Sequence, residues 1–203
     1  MATTLPYTVE REVEDLAALI AAAGGSASVY GHSSGAALAL EAAASGVPIR
    51  KLLLHEPPYG GDDEESRRDA RALAETVRTA IVEDRRADAI KAFMAASGMP
   101  PEMTEAPSHD PHMLALAPTM PYDFEVVGDT SRGGTVPVDL VRRIEMPTLV
   151  IAGGASPEFF RDTANRLVEL LPNGTLTVLE GQDHGAPAEV VAPLISEFLQ
   201  EGA

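Results

Sequence analysis

The chain has 203 residues, 45% of them hydrophobic, enough to bury one sizeable core, and a single domain is expected. Lys and Arg number 15 against 31 Asp and Glu, and the formal charge of -16 argues against nucleic acid or an anionic membrane as the main partner. With no cysteine there is no disulfide framework or thiolate chemistry. No apolar run reaches spanning length and the start lacks a basic and apolar signal region, so the expected location is the cytoplasm.

In chain order, Thr8 is positioned to cap a helix whose apolar stripe runs Val9, Val13, Leu16 and Ile20 and stops at Gly24-Gly25. Residues 27–30 read as a short buried strand, and 36–44, rich in alanine, as a helix closed by Ser45-Gly46. Pro48 introduces a strand over 49–55 that stops at Glu56-Pro57-Pro58, so strand, helix and strand form a parallel βαβ unit. From 59 to 143 the character changes. A charged stretch over 62–88 carries a stripe of Ala70, Leu73, Val77 and Ile81, a second helix lies near 87–97, and 99–121 is rich in proline, methionine and histidine. Strands return at 146–152 and 176–180, separated by a helix over 157–171 with Phe160, Ala164, Leu167 and Leu171 on one face. Residues 181–185 form the exit loop, and Pro187 opens a terminal helix.

Gly31-His32-Ser33-Ser34-Gly35 lies between the first strand and its helix, and reads as a G-x-S-x-G turn that exposes a nucleophilic serine. The two glycines are expected to let the turn close without side-chain collisions. Ser33 would stand at a helix N-terminus, where the helix dipole and the N–H of Ser34 favour a developing oxyanion.

From this elbow to its end the chain resembles the α/β-hydrolase superfamily, serine-hydrolase branch. The resemblance implies a mostly parallel sheet with helices on both faces, a helical lid inserted over 59–143, and no cofactor or metal. The order of reactive residues in that family is serine, acid, histidine. His184, in the glycine-rich loop between last strand and last helix, matches the family's histidine and would serve as general base toward Ser33. For the acid, most members place an Asp shortly after the strand corresponding to 148–152, but this chain reads Gly153-Gly154-Ala155-Ser156-Pro157 there. Other members carry it directly after the strand following the nucleophile helix, the place of Glu56. Glu56 is therefore the first choice, with Asp129 and Asp123 in reserve. Asp183 adjoins His184 in sequence, where neighbouring side chains diverge.

The implied activity is hydrolysis of an ester or related acyl bond in a small-molecule substrate through an acyl-Ser33 intermediate. A serine nucleophile argues against the epoxide hydrolase and haloalkane dehalogenase branches, which use a carboxylate; perhydrolase and acyltransferase chemistry stay open. His32 is expected to pack beside the elbow and His55 to face away from Glu56, neither with a role. His109-Asp110-Pro111-His112 lacks a third fixed ligand and is a weak metal signal. Met94, Met99, Met103, Met113 and Met120 suit an adaptable lid or core filling. The family's strands before the nucleophile, and the loop that supplies a second oxyanion N–H, have no counterpart in 1–25. The expected consequence is an open sheet edge at the Val29 strand, available to a second copy or a partner chain. A start placed downstream of the true one, a short protein completed by another chain, and a non-catalytic relative are all compatible with this. In the last case the edge would serve binding or self-association.

Overall fold

A computed structural model describes residues 7–200. Its sheet has four strands, β1 (Ala27–His32), β2 (Ile49–His55), β3 (Thr148–Gly153) and β4 (Gly174–Leu179), all parallel and hydrogen-bonded in that order. The helices preceding and joining β1 and β2 are α1 (Val9–Ala22) and α2 (Ser34–Ala44). Between β2 and β3 lie α3 (Glu64–Val82), α4 (Arg86–Ala96), α5 (Glu105–Ser108), α6 (Pro111–Leu116), α7 (Met120–Val127), α8 (Asp129–Arg132) and α9 (Val138–Val141). The helices α10 (Glu158–Leu170) and α11 (Ala188–Gln200) follow β3 and β4.

Alternation along β2 and β3 accounts for the layering. Leu52, Leu54, Val150 and Ala152 enter one apolar cluster with the alanines of α2, while Leu53, Leu149 and Ile151 enter another with Phe198 of α11. Each fully buried leucine contributes about 2 kcal/mol by leaving water. The small side chains of Ala36, Ala37, Ala39 and Ala43 let α2 lie close against β1 and β2. A third cluster is confined to residues 74–124, from Ala74 and Val77 of α3 to Phe124 of α7. The chain beyond it, with Val126, Val127, Val136 and Val141, packs into the main core instead. The two ends of the inserted segment meet where Gly60 N–H donates to the Gly134 carbonyl at 2.8 Å.

The parallel α/β architecture agrees with the expectation, and the differences are local. β1 runs on through Gly31-His32 because the strand continues to the elbow; β3 begins two residues later and ends one later than expected, and β4 begins two earlier and ends one earlier. Thr8 occupies the cap position of α1 with extended backbone, but its side chain forms no capping hydrogen bond. Of the α1 stripe, Ile20 is fully buried; Val9, Val13 and Leu16 are partly buried against the same cluster. Among the described residues β1 pairs on one side alone, with β2, and Tyr30 on it is exposed. No helix among the described residues is long and apolar enough to cross a membrane.

Candidate active site

Ser33 joins β1 to α2 with φ 56° and ψ -129°, a conformation that a residue with a side chain adopts at a cost of about 1–3 kcal/mol. Two features hold it there. Its N–H donates to the His55 carbonyl at 2.9 Å, continuing the β1–β2 ladder, and its own carbonyl accepts from Ala36 N–H at 2.9 Å to start the helix. Gly31 is sterically required, because a Cβ there would collide with the Gly35 carbonyl oxygen and lie 2.7 Å from Ala36 Cα. Gly35 is not: a Cβ would meet nothing within 4 Å, which corrects the expectation that both glycines relieve a collision. The helix begins in a turn whose closest approach is onto Gly31, so that position alone carries the constraint. Ser34 N–H, at the first turn of α2, donates to no backbone carbonyl among the described residues and is oriented with the positive end of the helix.

Glu56 follows β2 with φ 47° and is fully buried. Its Oε2 lies 2.7 Å from His184 Nδ1, and its Oε1 accepts from Gly153 N–H at 2.6 Å. Burial pulls the carboxyl upward, but the hydrogen bonds from His184 and Gly153 and the neighbouring Ser156 hydroxyl outweigh it and hold Glu56 below its ordinary value. Gly153 is needed here too, since a Cβ on it would lie 2.6 Å from the Gln182 carbonyl and 3.1 Å from Glu56 Oε1. The position expected to lack an acid at the end of β3 thus supplies an amide donor to the acid that comes from β2.

His184 is half-buried between two rings. Phe160 of α10 stacks on it at 4.6 Å with an interplanar angle of 16°, and His32 lies against it at 4.6 Å. His32 Nε2 is also 2.9 Å from the His184 carbonyl oxygen, so it secures the loop as well as the ring. The structure therefore brings Glu56 and His184 together, with Ser33 on the adjoining strand end. Ser33 Oγ forms no hydrogen bond to His184 among the described residues; such contacts often tighten only when substrate arrives.

The reserve acids sit elsewhere. Asp123 Oδ1 accepts from Ser34 Oγ at 2.6 Å, and burial raises its pKa. Asp129 is buried without touching His184. Asp183 turns back to accept from Gly185 N–H at 2.9 Å. Asp110 caps α6 through the N–H groups of His112 and Met113, and His109 Nδ1 lies 3.0 Å from the Glu105 carbonyl, so both act locally.

Sequence reasoning missed the roles of His32 and His55. His55, expected to have no role, has its Nδ1 2.7 Å from Tyr30 Oη and its Nε2 buried without a partner. Burial, then the nearby His32, lowers its pKa to about 4. The pairing of His32 with His55 in the β1–β2 register was the available signal, because opposed residues of parallel strands share a face.

A cavity of about 160 Å³ opens in front of Ser33 and Ser34, walled by the inserted segment through Leu73, Phe93, Phe124 and Val127 and by Phe159 and Phe160 of α10. Asp123 and Asp129 also face it.

The sequence profile of the alpha/beta hydrolase family matches residues 2–193. An alpha/beta hydrolase from Sphaerobacter thermophilus is 42% identical and superposes with a TM-score of 0.81, over 97% of this chain and 76% of its own. At the level of fold alone, the enol-lactonase from Burkholderia xenovorans LB400 superposes with a TM-score of 0.65 at 17% identity, over 98% of this chain and 76% of its own. A thermophilic esterase from Thermogutta terrifontis does so with 0.66 at 23% identity, over 96% and 73%. No protein among the curated ones matches. An elbow serine, a buried acid–imidazole pair at the carboxyl ends of a parallel sheet, and these similarities agree: the chain belongs to the alpha/beta hydrolase family.

Proposed function

We propose that the protein hydrolyses a carboxylic ester or related acyl bond of a small molecule, with Ser33 as nucleophile, His184 as general base and Glu56 as its orienting acid. The observation that carries this reading is the 2.7 Å contact between Glu56 Oε2 and His184 Nδ1 beside the strained Ser33 turn. His184 Nε2 takes the Ser33 hydroxyl proton as Oγ attacks the carbonyl carbon, and Glu56 stabilises the imidazolium that forms. The oxyanion of the tetrahedral intermediate is met by Ser34 N–H and the α2 terminus. On collapse the bond from carbonyl carbon to alcohol oxygen breaks, and His184 returns its proton to the departing alkoxide. Water then attacks acyl-Ser33 by the same steps, releasing the acid and restoring the serine.

The test is labelling with a fluorophosphonate, whose phosphorus is attacked by an activated Ser33 with loss of fluoride. The folded protein should gain the adduct mass and the Ser33→Ala protein should not. A folded protein that takes no label refutes the reading.

A second reading is favoured by the open edge of β1 among the described residues. In it, this edge adds a strand from a second copy or a partner chain. Light scattering decides between states: a monomer at high concentration argues against self-pairing.

A further inference from the structure

Asp129 is a buried carboxylate that, among the described residues, no other residue's donor reaches. It is 8% exposed, follows the left-handed Gly128 at the start of α8, and lines the same cavity as Ser33. Among the described residues its carboxylate accepts no hydrogen bond from another residue and joins no ion pair, its own N–H being the donor beside it. The cation closest in sequence, Arg132, forms no ion pair with it, its Nη2 lying 3.4 Å from Glu41 and donating to the Val127 carbonyl at 3.1 Å, and its charge lowers the Asp129 carboxyl by less than burial raises it. A carboxyl so placed is costly to keep ionised unless something arrives to pair with it. Burial accordingly pushes it up to about 7.

The rest of the wall narrows what that partner is. Phe93, Phe124, Phe159 and Phe160 line the cavity, four of the five phenylalanines in the chain. Their faces attract a cation and tolerate an alkyl stem, and Leu73 and Val127 extend the apolar wall. An anionic arm would meet Asp123 and Asp129 together, and a neutral alkyl arm would leave Asp129 buried and unpaired. A protein of formal charge -16 also attracts cations at long range.

We infer that this cavity receives a substrate whose acyl arm ends in a protonated amine, with Asp129 accepting from the ammonium group and the phenylalanine rings surrounding it. This rests on the serine-hydrolase reading and extends it to a substrate class.

The test compares ethyl 6-aminohexanoate with ethyl heptanoate, in which a methyl group replaces the ammonium. The unmodified enzyme should favour the amino ester by about tenfold or more in kcat/KM, as one desolvated charge-assisted contact supplies. Asp129→Asn should collapse that ratio; the same ratio in both proteins overturns the inference. Binding of pentylammonium against 1-pentanol to Ser33→Ala protein, by calorimetry, is independent of turnover. Pentylammonium should bind about tenfold more weakly once Asp129→Asn is added. Phe93→Leu, on another helix, should weaken pentylammonium more than pentanol, and serves if Asp129→Asn does not fold. Indifference of pentylammonium affinity to these changes refutes the cation site. Its sensitivity to them in a protein that hydrolyses no ester leaves the site standing and refutes the hydrolase reading alone.

Discussion

Glu56 and His184 come from elements 128 residues apart and meet at 2.7 Å, with the carboxylate fully buried and the imidazole reaching it from the loop after β4. Removing the charge while keeping the shape should leave the ring misoriented. Glu56→Gln is expected to lower kcat on p-nitrophenyl acetate by on the order of a thousandfold or more. Asp183→Asn, one residue from His184 but solvent-facing, should stay within a few-fold. Equal losses in the two variants would remove Glu56 from its role.

His55 predicts a pH signature of stability. Its folded pKa of about 4 lies below the ordinary 6.5, so the folded state binds fewer protons than the unfolded chain between those values. The stability it contributes is complete above about pH 6.5 and is lost as pH falls toward 4, by about 3 kcal/mol. Urea midpoints measured at several pH values should fall across this window less steeply in His55→Gln than in the unmodified protein. Identical slopes would show that His55 titrates normally in the fold.

Asp129 has the opposite sign. Its pKa, raised to about 7 from 3.8 chiefly by burial, means that the folded state holds a proton the unfolded chain has released. Its contribution is complete below about pH 4 and declines as pH rises through 7. Asp129→Asn should therefore be the more stable protein at pH 8, by up to about 4 kcal/mol, with the advantage shrinking toward pH 4. Thermal unfolding of both proteins at the two pH values measures it; an advantage that is the same at both contradicts a buried, unpaired carboxylate.

The elbow offers a contrast of two glycines. Gly31→Ala places a methyl against backbone atoms of Gly35 and Ala36 that have no room to move, and should cost about 1–3 kcal/mol and slow fluorophosphonate labelling sharply. Gly35→Ala points into open space and should do neither. Labelling rates and melting temperatures of the pair separate a steric requirement from a merely permissive position.

How much of this was legible depends on how local each determinant is. The β1–elbow–α2 passage could be read because β-formers, glycines and alanines fall in sequence order, and His184 could be read from its loop. Glu56 was legible as a place, directly after the strand that follows the nucleophile helix, though its amide partner at Gly153 depends on β2–β3 pairing. The contacts of His32 with His184 and of Asp123 with Ser34 join residues far apart in the chain. No local pattern encodes them. The burial of Asp129 is likewise set by α3, α7 and the return of the inserted segment, whereas the sequence offered it only as a reserve for the acid beside His184.

The hydrogen bond from Ser33 N–H to the His55 carbonyl bears on motion as well as position. Ser33 and Glu56 flank that single link on adjoining strands, and Glu56 N–H is itself donated to Ile151 in the next strand. Ser33 and Glu56 therefore ride on one rigid body, while His184 is carried by a loop. Breathing of the site is then displacement of one imidazole against a fixed pair, and amide exchange should be slow at Ser33 and Glu56 and fast over residues 181–185.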